Sequence, residues 1–327
     1  LDIGLPHHFV IQPVESAFDD DDPVTLREAA RSAHRAHHGL GARIREAHLL
    51  DVRAHGLDLF DDLGIQRGRK TGQGAALRDL LERAEPGRLL DAIRAWPGAP
   101  LADALPLRIA GGIHALHLKG AEPALAAIYE DRAGVDDAAI VAAAIRAHEV
   151  ELLPWLDGPP QTNEAGRSSN FIAAMLWLAE QGLPTRFQCL EIGSSAGINL
   201  MLDRYHYDLA GVQVGPEPGA MRFKPEWQGN PPPDHAIEIV SAKGCDVAPV
   251  DLTDPDEARR LKAFVWPEHA VRFERMAAAI AEAGKSAPDL VQMNAADFIE
   301  AELARPQRDG TTRVLMHSIV WQYVPAE

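Results

Sequence analysis

The sequence predicts an α/β fold, a parallel sheet with helices on its faces, preceded by an all-helical region. Three observations predict it. After about residue 186, short apolar runs alternate with stretches of helical periodicity, the pattern of parallel strands joined by crossover helices. Between 86 and 185 the sequence reads as nearly all helix. Where the two patterns meet stands Glu191-Ile-Gly-Ser-Ser-Ala-Gly197, a glycine-containing turn leading from a strand into a helix. The expected organisation is therefore an N-terminal segment over 1–85 without a clear pattern, a helical region over 86–185 and a sheet domain over 186–327. An insertion is expected within the sheet domain at about 206–245, where proline and glycine cluster (GPEPG, GNPPPD).

In the first segment, histidines are frequent, Asp19–Asp22 is an acidic run and 64–74 has no periodicity. His34, His37 and His38 would share one face of a helix at ligand spacing, but no carboxylate or cysteine stands with them. A solvated helix accounts for them better, and no metal site is expected. Beyond residue 86, Ile109 to Leu118, Ala124 to Tyr129 and Ala138 to Trp155 read as helices, closed by Pro154 and Asp157–Pro160. Ser168 or Ser169 is expected to cap a helix from Asn170 to Gln181, with Gly182 at its C-terminal turn and Pro184 beyond.

Phe187 to Ile192 is then the first strand, Gly193 to Gly197 a turn and Ala196 to Tyr205 an amphipathic helix. Val247 to Leu252 reads as the second strand. Asp254, Pro255 and Glu257 supply a cap, an N1 proline and an N3 acid for the following helix. Pro267 starts or kinks a further helix that ends at Gly284. Leu290 to Met293 is the third strand, Asp297 caps a short helix, and Arg313 to Val320 is the fourth strand.

Bulk composition narrows the function. The 327 residues hold 32 Lys and Arg against 48 Asp and Glu, a formal charge of −16. Such a chain repels phosphate backbones, and no local basic cluster reverses this, so no nucleic-acid partner is expected. Cys189 and Cys245 cannot form a disulfide framework, and neither belongs to a C-x-x-C pair, which fits a reducing compartment. No apolar run reaches membrane-spanning length and no basic-then-apolar leader opens the sequence. The expectation is a cytoplasmic protein without membrane contact.

The turn after the first strand concentrates the chemistry. A helix N-terminus offers unpaired N–H groups and positive dipole, and glycines admit a ligand close to the backbone. An acid at the strand end, Glu191, suits hydroxyls or a positive charge. The G-x-G-x-x-G dinucleotide fingerprint is absent, and no Lys-Ser/Thr follows Gly197 to make a P-loop. Two functional patterns fit. One is the first motif of S-adenosylmethionine-dependent methyltransferases, E/D-x-G-x-G-x-G, with Ser195 in the middle glycine's place. The other is a nucleophile elbow, G-x-S-x-G, with Ser195 as the nucleophile of a hydrolase. A tight strand–helix junction without a ligand is the structural alternative.

Under the first pattern the cofactor residues are Glu191, Gly193, Ser194, Ser195, Gly197 and Asn199 of the turn. Asp251 would take the ribose hydroxyls at the end of the second strand, and Asn294 would stand at the adenine after the third. Gln161, Asn163, Glu164 and Arg167, a polar group just before a hydrophobic helix, are placed to line the same cleft. Alternatively Glu164 and Arg167 simply pair at i, i+3. His317, at the end of the fourth strand, is the candidate catalytic base, since neutral imidazole is available near pH 7.

Trp96-Pro-Gly98, Leu107 to Gly112 (LRIAGG), Gln161 to Arg167 (QTNEAGR), Glu191 to Asp208 (EIGSSAGINLMLDRYHYD), Asp251 to Asp254, Trp266-Pro-Glu268 and His317-Ser318 together resemble a bacterial family. It is the one catalogued as domain of unknown function 2332. That family is similar to Rossmann-like methyltransferases. The resemblance implies a Rossmann-like methyltransferase-type sheet that binds S-adenosylmethionine, with an unassigned methyl acceptor. It also implies a sheet with strands beyond the fourth, so that the chain is a fragment of the complete domain. A binding module that keeps this fold without catalysis is the other outcome it allows.

Overall fold

A computed structural model describes residues 12–14, 87–100, 102–129, 136–267 and 269–320. The histidine trio His34, His37 and His38, the acidic run and the aperiodic stretch 64–74 lie outside the described residues. The first part of the rest is helical. Helices α1 (Arg88–Arg94), α2 (Leu105–Lys119) and α3 (Asp137–Ala147) pack Leu89, Ile93, Ile109, Ile113, Leu116, Val141 and Ile145 into one cluster with Leu152 and Leu156. These positions recur every three or four residues, so each helix turns one stripe into this cluster, and α2 also buries Ala110, Gly111 and His114 on another side. Arg108 lies in this region, where its guanidinium donates to the carbonyls of Leu156 (2.6 Å) and Asp103 (2.9 Å). Helix α2 stops at Gly120, whose φ of +70° few other residues adopt.

Helix α4 spans Ser168–Glu180, a little earlier than the serine caps predict. Glu164 begins the segment instead. Its carboxylate accepts from the Gly166 N–H at 3.0 Å and opens a single 3₁₀ turn, Ala165–Arg167, that runs directly into α4. Ser168 is already helical, and its hydroxyl donates back to the Ala165 carbonyl at 2.6 Å.

The main sheet contains, in chain order, β1 (Gln12–Val14), β2 (Arg186–Ile192), β6 (Glu238–Asp246), β7 (Asp289–Gln292) and β8 (Thr312–His317). Its spatial order is β1-β8-β2-β6-β7. The last four strands are mutually parallel, and β1 lies antiparallel along β8. Between β2 and β6 a small sheet, β4-β3-β5, is built from β3 (His206–Leu209), β4 (Val212–Val214) and β5 (Arg222–Phe223). Ala210 and Gly211, both at positive φ, close its hairpin.

Three expected elements change. The second strand is Glu238–Asp246, and Val247–Leu252 is a loop. The sequence EIVSAKGCD mixes serine, lysine and glycine into the strand, so its apolar signal is weaker than that of VAPVDL. The latter contains Pro249, which has no N–H for a ladder. Residues Ile198–Arg204 form a 3₁₀ segment broken at Met201 in place of the amphipathic α-helix. Helix α7 (Ala295–Leu303) is capped by Asn294, whose side-chain oxygen accepts from the Asp297 N–H at 2.9 Å; Asp297 itself is inside the first turn. The cap at Asp254 stands as expected on α5 (Pro255–Ala263), accepting from the N–H groups of Asp256 and Glu257. Helix α6 covers Ala270–Lys285.

Alternation along β2 separates its two faces. Phe187 and Cys189 join the large core with α4, the 3₁₀ segment and α6, while Leu190 and Ile192 join Cys245 and Phe298 in a smaller core beneath α7. A third contact ties the helical region to the sheet domain: Trp155, Ala263 and Phe264 pack with Leu107 and Ala115 of α2. No helix among the described residues is long and apolar enough to cross a membrane.

Candidate functional site

Because α4 leads straight back into β2, its N-terminus and the segment before it stand at the C-terminal edge of the sheet. The turn Gly193–Gly197 leaves β2 at that same edge. Gly193, Ser195 and Gly197 all have positive φ, +66°, +53° and +67°. Ser195 thus occupies, with a side chain, a conformation that favours glycine, at a cost of about 1 kcal/mol.

Hydrogen bonds to its own residues and to β2 and β6 fix the turn. The Ser194 N–H donates to the Cys245 carbonyl at 3.0 Å and the Gly197 N–H to the Ser194 carbonyl at 2.8 Å. The Ser194 hydroxyl donates to the Glu191 carbonyl at 3.0 Å, and the Ser195 N–H to Asp246 Oδ2 at 2.8 Å. Gly244 is required beside it: a Cβ there would lie 2.1 Å from Ser194 Oγ.

The flanking glycines serve the protein's own packing. A Cβ on Gly193 would stand 2.3 Å from the Val320 side chain, and one on Gly197 2.8 Å from Pro288.

Asp246 is the acid at the end of the second strand, and Asp251 is not. Asp251 is exposed in the following loop, where Oδ1 accepts from the N–H (2.8 Å) and hydroxyl (2.6 Å) of Thr253. Those two bonds hold its carboxyl below the usual range. Asp246, by contrast, accepts at Oδ2 from Ser195 and at Oδ1 from the Ala248 N–H at 2.9 Å. Each oxygen retains a further lone pair. The signal was present in the sequence as the strand end GCD, hidden by the irregular strand before it.

Glu191 is 1% exposed and faces the large core with Cys189. Its Oε1 accepts from Asn199 Nδ2 at 3.1 Å, while Oε2 is buried without a hydrogen-bond partner. Burial pushes the carboxyl up to about 7. The hydrogen bond from Asn199, the neighbouring Ser194 hydroxyl and the charge of Arg167 oppose this, and Asp246 adds to it.

The polar segment before α4 does reach this turn. Ser195 Oγ donates to Gln161 Oε1 at 2.6 Å, and Gln161 Nε2 donates to the Ala248 carbonyl at 2.9 Å. Glu164 looks the other way, to α6, where Arg272 Nε (2.8 Å) and Arg275 (3.2 Å) hold its carboxylate. The Asn163 carbonyl faces Arg272 at 3.5 Å. These two arginines carry no periodic or motif signal that sequence reasoning could have used.

His317 is buried at the end of β8, in register with Ile192 of β2. Alternation places it on the Leu315 side, towards α7, opposite to Glu191. Asn294 is exposed beyond β7, with its amide occupied by Asp297 of α7. The structure thus groups Glu191, Ser194, Ser195 and Asn199 with Asp246 and Gln161. Asn163 and Glu164 lie to one side, His317 on the neighbouring strand end, and Asp251 and Asn294 in adjacent loops.

No curated protein and no solved structure matches this chain. A family described as an uncharacterized protein conserved in bacteria (DUF2332) matches residues 66–327, most of the sequence, and the chain belongs to that family.

Proposed function

We propose that this protein binds S-adenosylmethionine at the C-terminal edge of its sheet and transfers the methyl group to an acceptor yet to be identified. The observation that carries the reading is the strand order. Counted along the chain, the four parallel strands stand third-second-first-fourth, the order of the first four strands of a doubly wound Rossmann sheet. In such sheets the ligand lies where the strand order reverses, here between β2 and β8, and the glycine turn leaves β2 at that point.

The residues fit such a ligand as follows. Asp246 keeps lone pairs for the ribose hydroxyls, the part first expected of Asp251. Val247 and Met293, 67% and 37% exposed, follow β6 and β7 directly and offer apolar surface to the adenine. Asn294 lies next to Met293. Ser195 stands where the motif has glycine, small enough to leave the backbone accessible. Bound S-adenosylmethionine would supply an electrophilic methyl on sulfur. The chain's own contribution is to hold acceptor and donor in line, with His317 as the group to take a proton from the acceptor.

Ser195 as a hydrolase nucleophile is less well supported, since its hydroxyl donates to the Gln161 amide oxygen, which has no basicity to receive a proton. The test is a thermal-shift and calorimetric titration with S-adenosylhomocysteine. Binding is expected, weakened at least tenfold in Asp246→Asn and within about threefold of wild type in Ser195→Ala. Absence of binding at millimolar ligand would sink the methyltransferase reading. Labelling of Ser195 by a fluorophosphonate would replace it with the hydrolase.

A further inference from the structure

We propose that Glu191 and Asn199 form a neutral acid–amide pair that stores one proton at the cofactor turn, and that a ligand bearing a cationic N–H group displaces it. The inference deepens the cofactor reading above and rests on it only for the identity of that ligand. Asn199 Nδ2 donates to Glu191 Oε1 at 3.1 Å. The other two oxygens of the pair, Glu191 Oε2 and Asn199 Oδ1, are both buried and neither has a hydrogen-bond partner. Two acceptors left over on side chains already joined by one hydrogen bond are what an ionised glutamate would leave. A proton on Oε2, donated to Asn199 Oδ1, would satisfy both at once and close a two-point ring.

The surroundings favour the neutral form. Glu191 is buried on the core face of β2, and burial pushes its carboxyl up to about 7. Arg167, from the segment before α4, pulls towards ionisation, and Asp246, from the end of β6, pushes against it. Cys189 on the same strand, Cys245 on β6 and Tyr205 after the 3₁₀ segment are themselves held neutral by burial. His317 stands on the neighbouring strand β8 and, by alternation, on the opposite face.

The exchange balances simply. The Oε2–H bond breaks, the proton leaves to solvent, and the ligand's N–H groups donate to the carboxylate and to Asn199 Oδ1. A ligand without N–H donors would leave Asn199 Oδ1 unsatisfied, so an ammonium fits and a quaternary centre does not.

The experiment uses the full chain. Infrared spectra of the ligand-free protein at pH 6 should show the carbonyl band of an un-ionised carboxyl that shifts in D₂O, disappears above about pH 7 and is missing in Glu191→Gln. Lack of a Glu191-dependent band would overturn the proposal regardless of any ligand. S-adenosylhomocysteine, which carries an ammonium, is then titrated in buffers of different ionisation enthalpy. Release of about one proton at pH 6, with affinity about tenfold higher at pH 8 and both effects lost in Glu191→Gln, supports the exchange. Binding with the band retained would overturn the exchange. A persistent band with no binding supports the stored proton and counts against the cofactor reading.

Discussion

At the scale of single residues, a carboxyl raised by burial has a stability consequence whose sign is opposite to the common one. Glu191 binds its proton more tightly in the folded chain, near 7, than at its ordinary value of 4.5. The folded state therefore holds more protons between those values, and stability falls as pH rises from about 4.5 to about 7, then levels off. The full change is about 3 kcal/mol. Carboxyls held low by partners, Asp208, Asp251 and Glu238, act in the other direction and below the ordinary range. Glu191→Gln, which keeps shape and removes the titration, should thus be the more stable protein at pH 8 and about equal at pH 4.5. Urea unfolding of both proteins across that range measures the difference. Equal stabilities at pH 8 would show that the carboxyl is not penalised by burial.

At the scale of elements, legibility followed the strength of the local signal. Phe187–Ile192 and the cap at Asp254 were readable because an apolar run and an Asp-Pro-x-Glu pattern each have a single structural meaning. The strand Glu238–Asp246 was not, since Lys243 is made tolerable only by Glu302 of α7, 2.7 Å away, and Gly244 only by the approach of Ser194. Both are tertiary reasons, and they hid Asp246 while Asp251 looked like the strand-end acid. The expected cap of α7, Asp297, lies one turn inside the helix, and Asn294, three residues earlier, takes that place because its side chain accepts from the Asp297 N–H. The segment before α4 reads as polar, but its partners Arg272 and Arg275 come from α6, more than a hundred residues later. That pairing yields a second expectation. Glu164→Ala leaves two guanidinium groups facing each other without their carboxylate and removes the Gly166 cap, so it should cost about 2 kcal/mol. Arg275→Ala in that background should cost less than in the wild type, because the repulsion goes with it. Additive denaturant midpoints would show that the three residues do not act as a unit.

At the scale of the whole molecule, the question is whether the helical region and the sheet domain fold together. Their contact is close at α2, where Gly111 and Gly112 admit side chains from both parts. A Cβ on Gly111 would stand 2.8 Å from the Phe264 ring and 3.2 Å from Trp155, and one on Gly112 2.9 Å from Leu152. Phe264 follows α5 of the sheet domain and meets Trp155 edge-on at 5.3 Å. Phe264→Ala should open a cavity here and cost about 3–5 kcal/mol, with Trp155 fluorescence and far-ultraviolet circular dichroism still melting together. Gly111→Ala tests the same contact from the other side. In the wild type its methyl meets the ring and should be destabilising, although alanine inside a helix gains about 1 kcal/mol over glycine. In the Phe264→Ala background only the 3.2 Å approach to Trp155 remains, which that ring can relieve by shifting into the new cavity, and the same substitution should become neutral or stabilising. A reversal of sign between the two backgrounds, read from the double-mutant cycle, is the expected outcome. If Gly111→Ala has the same effect in both, or if the two probes separate in Phe264→Ala, the regions are not locked through this contact.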